Sequence, residues 1–410
     1  MRRGARYRWV VLAVATFTQA ASGFFVQGIG AMGIHLQRQL ELTTAELGLL
    51  VSAAQFAPLV GVLVAGELLD RHDERWVVGA GASVVAVALV VGGLVPGYPG
   101  LLAVLVVVGA GYSAVQPGGG KSVASWFDAS QRGFAMGVRQ AGLPLGAALA
   151  SAVLPLVAGA FGWRAALLVG GCVALLGAVA FMALYRRPPT RAVPRGRAPR
   201  GVRRGMLRDP SLRRTMAAGT SLISVQCGVG ILAALYLHEV ASVGAGAAAL
   251  VLVAVQGAGV LGRIGLAAWS DRIGVGRERA VVVCMVAVVA GMAVLLTPAG
   301  RSVTVACCAF VWLGFFGFGW YGPWVAQVAE SAPPQWTGFG LGLAMCVNQV
   351  AIVVVPPSLG LLKDLSGGFA AVWGLLIAMI LVALAARVRV TECARSTGGA
   401  RKTDEASCPS

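Results

Sequence analysis

Long apolar segments alternate with short polar segments along almost the whole chain. Each apolar segment is long enough to cross the ~30 Å hydrocarbon core of a bilayer as a helix. We expect twelve such helices, at Trp9–Ile34, Leu47–Leu69, Trp76–Val95, Leu101–Val123, Gly133–Gly159, Arg164–Tyr185, Thr215–Leu237, Gly244–Trp269, Ala280–Leu296, Ser302–Val328, Gly338–Leu362 and Phe369–Val388. The pattern therefore predicts an all-α membrane protein.

These segments divide the chain into four regions. We expect residues 1–185 to form a first six-helix bundle and residues 215–388 to form a second one. Residues 186–214 between them hold eleven arginines and one acid, interrupted by Pro and Gly, which disfavours a folded domain and predicts a basic linker. We expect the polar residues 389–410 to form a disordered tail.

Two landmarks recur at nearly the same offset in both halves. The loop GELLDRHDER follows the second apolar segment and AAWSDRIGVGRER follows the eighth, so that Asp70 and Asp271 lie 201 residues apart. The sequence GFAMG at Gly133 opens the fifth segment, and GFGLG at Gly338 opens the eleventh, 205 residues later. Such internal repeats are typical of secondary transporters that place their site between two related halves.

Composition agrees with a membrane protein and argues against an enzyme. The chain is 58% hydrophobic and 12% charged, with a mean hydropathy of +0.80, whereas soluble domains are about 25% charged. Six of the eight cysteines lie in apolar segments and the sequence has no metal-ligand spacing, so we expect no disulfide framework, metal or cofactor. It also lacks a phosphate-binding loop and a nucleophile–base pair.

The net charge of +17 would indicate nucleic-acid binding in a soluble protein, but its distribution favours membrane topology. With the N-terminus in the cytoplasm, 27 of the 33 lysines and arginines lie on that side and four on the other. The positive-inside rule then predicts a multi-pass protein of the inner or plasma membrane with both termini cytoplasmic. Two alternatives stay open: the linker binds anionic lipid headgroups, and the first segment is a cleaved signal.

The repeated charged loop resembles a motif of the major facilitator superfamily. Its first copy matches the family pattern at Gly66, Asp70, Arg71 and Arg75. Asp73 and Glu74 depart from the pattern, while the second copy keeps Asp271 and Arg272, with Ala267 where glycine is usual. The chain resembles this family over nearly its whole length. The resemblance implies a twelve-helix fold and alternating-access transport of a small molecule.

The motif residues are interpreted as a gate. An aspartate at a helix end can pair with charges and helix termini of the opposite half when the cytoplasmic side is closed. A small residue one turn earlier permits close helix approach. The candidate gate residues are Gly66, Asp70, Arg71, Arg75, Asp271 and Arg272. The alternative interpretation is that Asp-Arg simply marks a cytoplasmic helix end.

Two arginines lie inside apolar segments, where ionisable residues are costly and often functional. Arg139 follows Gly133 by six residues, about 9 Å along its helix, and Arg263 precedes Asp271 by eight residues, about 12 Å. Two arginines from opposite halves would repel each other unless an anion lies between them, and the guanidinium suits a carboxylate. Alternatively, each arginine reaches the headgroups or caps helix carbonyls.

The sequence GRIGLAAWSDR around Arg263 is similar to helix 8 of the monocarboxylate and oxalate–formate branches of the superfamily. In those branches an arginine at this position contacts the carboxylate substrate. Gly259 stands where the monocarboxylate porters have an acid, and Asn348 and Gln349 replace the lysine of the oxalate–formate exchangers. The sequence GVRQAGLPLG also resembles helix 5 of cyanate- and nitrate-permease-like members, which carry small anions.

The remaining candidates are polar or aromatic residues on segments that the resemblance places around a central cavity. The candidate substrate-binding residues are Arg263, Arg139, Gln140, Gln27, Gln116, Gln226, Asn348, Gln349, Trp320 and Tyr321. Glutamines within helices also often bond only to neighbouring helices, and aromatic residues often only pack. No Asp or Glu lies near the middle of any segment, which disfavours a cationic substrate.

The sequence therefore predicts a monomeric secondary transporter of a small organic anion, with protons as a candidate coupling ion. The first alternative is proton-coupled export of a drug-like or biosynthetic metabolite. The second alternative is a sensor that uses a transporter fold without transporting.

Overall fold

The computed structural model describes residues 2–29, 32–42, 44–188, 199–272 and 276–404. The helices of this part are α1 (Arg2–Gly28), α2 (Gly33–Leu40), α3 (Thr44–Phe56), α4 (Pro58–Arg71), α5 (Glu74–Gly92), α6 (Gly97–Trp126), α7 (Ala129–Phe161), α8 (Trp163–Leu184), α9 (Arg200–Arg208), α10 (Pro210–Glu239), α11 (Ala245–Arg272), α12 (Arg277–Leu296), α13 (Val303–Gly319), α14 (Tyr321–Ser331), α15 (Thr337–Ser366) and α16 (Ala370–Asp404), with a 3-10 turn at Pro298–Arg301. Within the described residues twelve spans are long and apolar enough to cross a membrane, six before α9 and six after it. The predicted all-α, twelve-helix architecture is confirmed.

Prolines divide two of the predicted spans. Pro58 has no N–H to donate and separates α3 from α4 within the second span. Pro323 likewise leaves the carbonyl of Gly319 without its helical donor, and the tenth span breaks between α13 and α14 at Trp320. Each break lies at the depth of the central cavity described below.

The first helix ends earlier than expected. We predicted a helix that continues to Ile34, but α1 ends at Gly28 and a separate helix starts at Gly33. The sequence GIGAMG over residues 28–33 explains the end, because glycine disfavours a helix interior by about 1 kcal/mol relative to alanine.

The two groups of six helices contact each other where α4 crosses α15 and where α7 crosses α11. Both crossings are close because glycine lies at the contact. A Cβ added to Gly342 would lie 2.6 Å from the carbonyl oxygen of Val62, and a Cβ added to Gly137 would collide with the carbonyl of Arg263. The two crossings are therefore related by the repeat. Val62 in the first crossing corresponds to Arg263 in the second, and Gly342 corresponds to Gly137.

Part of the predicted linker is folded onto the bundle. Met206 of α9 is buried, and Arg203 lies over the ring of Phe339, 5.3 Å from its centroid, and pairs with Glu67. Helix α9 thus contacts both α4 and α15. We call the end of the bundle that carries Asp70, Asp271 and α9 the basic end.

The division into four regions stays a prediction. Residues 189–198 of the predicted linker and 405–410 of the predicted tail lie outside the described residues. Helix α16 continues to Asp404, past residue 388, and the last candidate span ends at Arg387.

Candidate functional site

A cavity of about 210 Å³ lies between the two groups of helices. Helices from both groups line it, namely α1, α3, α6 and α7 from the first and α10, α11, α14 and α15 from the second. The lining residues are Gly23, Val26, Gln27, Gln55, Tyr112, Gln116, Gln140, Leu143, Ile223, Gln226, Cys227, Arg263, Tyr321, Met345, Asn348, Gln349 and Ile352. Amide side chains dominate the polar part, and Arg263 is the one Asp, Glu, Lys or Arg among these lining residues.

Arg263 is 6% exposed and is held in place by backbone carbonyls. Its Nε donates to the carbonyl of Phe318 at 3.1 Å and its Nη1 to the carbonyl of Gln140 at 2.9 Å. Phe318 lies in the last turn of α13, where helix carbonyls lack internal partners. These two bonds fix the orientation of the guanidinium through Nε and Nη1. No hydrogen bond among the described residues engages Nη2, so this nitrogen is available to a ligand.

Three pairs of polar side chains tie the cavity wall together. The Nε2 of Gln19 donates to the Oε1 of Gln140 at 3.1 Å, which joins α1 to α7. The Nε2 of Gln349 donates to the Oε1 of Gln55 at 3.0 Å, which joins α15 to α3. Within α6, the Nε2 of Gln116 donates to the hydroxyl of Tyr112 at 3.3 Å. These bonds fix side chains that would otherwise rotate freely.

Two other amides of the cavity wall have donors or acceptors left over. Asn348 is 2% exposed, and neither its Nδ2 nor its Oδ1 has a hydrogen-bond partner in the described part of the chain. The Oε1 of Gln226 is likewise buried without a partner. Buried polar groups are normally hydrogen-bonded, so unpaired groups facing a cavity are the feature expected of a polar ligand site.

Eight of the ten predicted substrate-binding residues line the cavity. Arg139 and Trp320 do not. Arg139 is fully buried and its Nη2 donates to the carbonyls of Val115 and Gln116, at 3.0 and 2.7 Å. In this conformation Arg139 does not line the cavity with Arg263, because successive helix residues point about 100° apart and Gln140, not Arg139, faces inward. Trp320 is fully buried and packs edge-on against Tyr321 and Trp324.

Asp70 caps the start of α15 at the basic end. Its Oδ1 accepts from the backbone N–H of Gly338 at 3.0 Å and its Oδ2 from that of Phe339 at 2.7 Å. The Nζ of Lys121, from the same half of the chain, lies 2.8 Å from Oδ1 and 3.8 Å from Glu74. The carboxylate thus binds the positive end of a helix of the opposite half.

Asp271 makes the equivalent contact on the other crossing. Its Oδ1 accepts from the N–H of Gly133 at 3.1 Å and its Oδ2 from that of Phe134 at 2.6 Å, at the start of α7. Arg277, again from the same half, pairs with Asp271 and also donates to the carbonyl of Ala129. The two aspartates therefore make equivalent contacts between the two halves at the basic end.

The arginines of the predicted gate are peripheral. Arg71 lies 3.5 Å from Glu67 one turn earlier, the guanidinium of Arg75 lies 5.5 Å from the ring centroid of Trp76, and Arg272 is exposed. The buried cations that pair with Asp70 and Asp271 are Lys121 and Arg277, which the sequence did not single out. Both stand near segment ends, where a basic residue is expected for orientation alone.

A second layer of polar groups surrounds Asp70. The hydroxyl of Tyr185 donates to the Oε2 of Glu74 at 3.4 Å, and Arg187 lies 2.8 Å from Asp73 and 3.6 Å from Glu74. Burial, followed by the negative charge of Glu74, raises the pKa of Tyr185 well above its ordinary value. Tyr185 is therefore a neutral hydrogen-bond donor at physiological pH. Glu74, a departure from the family pattern, is part of this network.

The comparison with protein families agrees with this architecture. The sequence model of the Major Facilitator Superfamily matches residues 12–356. The chain belongs to this superfamily. It is thus a multi-pass membrane transporter of a small-molecule substrate and not an enzyme.

Individual relatives are distant. An uncharacterised transporter of the superfamily from Mycobacterium tuberculosis is 28% identical over 360 residues, which cover 87% of this chain and 80% of that protein. The hexuronate transporter of Escherichia coli is 26% identical over 197 residues, 46% of this chain and 44% of that protein. Among solved structures, a proton:xylose symporter superposes with a TM-score of 0.73 at 16% identity, covering 93% of this chain and 95% of that one. At this identity the likeness shows the fold alone.

Proposed function

We propose that this protein is a secondary active transporter that moves a small organic anion across the cell membrane by alternating access. The observation that carries the proposal is the charge of the cavity. Arg263 lies there without an acidic residue among the lining side chains, held by two carbonyls with one nitrogen left over. A carboxylate is the ligand that a buried guanidinium pairs with best.

The rest of the cavity supports a small and polar solute. The unpaired amides of Asn348 and Gln226 can bond hydroxyl or carbonyl groups of the ligand beyond its carboxylate. A volume of about 210 Å³ is below the ~300–1,000 Å³ of sites for drug-sized ligands. The hexuronate transporter among the relatives carries, by its name, a sugar acid, which combines these two features.

Alternating access requires a gate, which we assign to the basic end. Asp70 and Asp271 would hold this end closed, and their release from α15 and α7 would open it. The excess of arginine and lysine at this end supports a cytoplasmic location for it and for both termini. We expect the transporter to act as a monomer.

Flux measurements in proteoliposomes test the proposal. The purified protein is supplied with labelled carboxylates, among them a hexuronate, oxalate and lactate, and with cationic drugs. We expect carboxylate flux in the wild type and a loss of at least tenfold in Arg263→Gln, because a hydrogen bond to a charged group contributes about 1.5–3 kcal/mol. Arg263→Lys should retain part of the flux, since it keeps the charge.

Arg38→Gln is the matched control, since Arg38 is exposed and lies outside the cavity. It should leave the flux unchanged. Flux of cationic drugs that Arg263→Gln does not reduce, without carboxylate flux, would instead identify the protein as a drug exporter. Carboxylate flux that survives Arg263→Gln at the wild-type rate would refute the assignment of Arg263.

A further inference from the structure

Arg139 has more hydrogen-bonding capacity than its surroundings use. Its side chain is fully buried, yet only Nη2 has partners, the carbonyls of Val115 and Gln116. Nε and Nη1 are buried without a partner among the described residues. A buried cation with unused donors is costly. A neutral amide side chain at this position could also bond to α6, and its burial would cost less free energy than that of a cation.

Two glycines of α6 leave room that the guanidinium of Arg139 occupies. Gly119 and Gly120, within the sequence PGGG of residues 117–120, lie beside Arg139. A Cβ added to Gly119 would lie 2.5 Å from Nε and 2.9 Å from Cζ, so any larger residue would displace the guanidinium. Nη1 lies 4.0 Å from the Cβ position of Gly120. The unpaired side of Arg139 therefore borders the α6 backbone at a recess that only glycine permits.

The opposite half of the chain covers this recess. The Cβ position of Gly120 lies 3.5 Å from Leu341 of α15 and 3.9 Å from Val325 of α14. Leu341 follows Gly338, whose N–H is held by Asp70, by three residues. Any motion that separates the halves at the basic end therefore withdraws Leu341 and Val325 from Gly120, which Nη1 of Arg139 borders, while the bonds of Arg139 to α6 stay within the first half.

We propose that Arg139 forms a second anion site, covered in this conformation and uncovered when the basic end opens. The inference rests on the proposed function, because it assigns to the transported carboxylate a second contact on its way between the cavity and the basic end. Arg139 follows the helix start at Gly133 by six residues and precedes Gln140, whose side chain lines the cavity. It therefore lies one residue closer to the basic end than Gln140, whose carbonyl holds Arg263.

The test is equilibrium binding in two conformations. The wild type represents the closed basic end. Gly66→Trp represents the open one, because even a Cβ at Gly66 would lie 2.5 Å from the carbonyl oxygen of Gly338, so the indole prevents closure. The probe is the carboxylate with the highest wild-type flux in the panel above. Its Kd is measured by scintillation proximity, with folding monitored by size-exclusion chromatography.

We expect Arg139→Gln to weaken binding about tenfold in the Gly66→Trp background and less than twofold in the wild-type background. Arg139→Lys should keep most of the affinity in both. Gly119→Ala offers a second route if Arg139→Gln does not fold, because it displaces the flexible end of the guanidinium without removing the charge. It should weaken binding in the open background only.

The outcomes separate this inference from the proposed function. Equal effects of Arg139→Gln and Gly119→Ala in both backgrounds, or no effect in either, would overturn the second site while leaving the Arg263 site standing. No carboxylate flux or binding in the wild type would overturn both proposals.

Discussion

Asp70→Asn perturbs the closed basic end at one defined contact. In the wild type each carboxylate oxygen of Asp70 accepts one backbone N–H at the start of α15, from Gly338 and Phe339. An asparagine keeps one oxygen as an acceptor, and its NH2 group faces the second N–H donor. The substitution therefore removes one hydrogen bond, makes the other a neutral bond and removes the charge from the helix start.

The free-energy change follows from these contacts. A hydrogen bond to a charged group contributes about 1.5–3 kcal/mol, and replacement of a helix cap costs about 0.5–2 kcal/mol. The pair between Asp70 and Lys121 lies within one half, so it is present whether the basic end is open or closed and does not enter the difference. A loss of about 2 kcal/mol from the closed state shifts the equilibrium towards the open state roughly 30-fold.

Electron–electron distance measurements report this shift. Spin labels at His72→Cys and Gln335→Cys, both exposed at the basic end, are introduced into a protein without its native cysteines. We expect a population with a longer distance to grow in Asp70→Asn, with slower transport and unchanged amounts in the membrane. Asp128→Asn is the control, since Asp128 precedes α7, is exposed and makes no capping bond with its side chain. An unchanged distance distribution in Asp70→Asn would show that the cap does not hold the gate.

Three further substitutions test the same end of the bundle. Gly66→Ala should abolish transport but not membrane insertion, because the new methyl group meets a backbone carbonyl of α15. The control Gly230→Ala meets nothing within 4 Å and should leave transport unchanged, so equal flux in the two variants would refute the close crossing. Arg203→Ala should increase cysteine accessibility at the basic end, since it removes the contact of α9 with Glu67; unchanged labelling rates would mean that α9 does not support closure. Because the pKa of Tyr185 is raised in the folded protein, its contribution to stability is complete below the unfolded value of 10.0 and is lost as the pH rises towards the folded value. The wild type should therefore lose thermal stability relative to Tyr185→Phe only above about pH 10, and parallel melting curves to pH 11 would contradict this assignment.

The sequence predicted the positions that depend on depth along a helix. Arg263, Gln116, Gln226 and Asn348 all line the cavity, because a polar residue far from both ends of an apolar segment has few places to lie except the interior. The number of spans could be predicted because the length and the hydropathy of a segment decide whether it can cross a membrane. Asp70 and Asp271, which the repeat relates in the sequence, have equivalent surroundings in the structure.

The sequence could not predict rotation about the helix axis or the identity of buried partners. Arg139 and Gln140 are neighbours in the chain, yet one contacts α6 and the other the cavity, which depends on how α7 packs. Lys121 and Arg277 could not be told apart from Arg71 and other basic residues near segment ends. Their burial follows from the tertiary packing of α6 and α12 beside the gate. The helix α9 has the composition of a disordered segment and folds against the bundle.

The repeat relates two halves whose charges differ where the ligand would bind. Val62 is the counterpart of Arg263 in the repeat. The offset of 205 residues that relates Gly133 to Gly338 makes Ala344 the counterpart of Arg139. A fully symmetric cavity would hold an elongated solute equally well in two reversed orientations. Arg263 is the one charged side chain among the lining residues, so an anion would bind in one orientation only. The head of a bound anion would face α11, and its remainder would face α10 and α15, which carry the unpaired amides of Gln226 and Asn348. Altering which solute is chosen would then mean changing residues of α10 and α15 while leaving α11 intact.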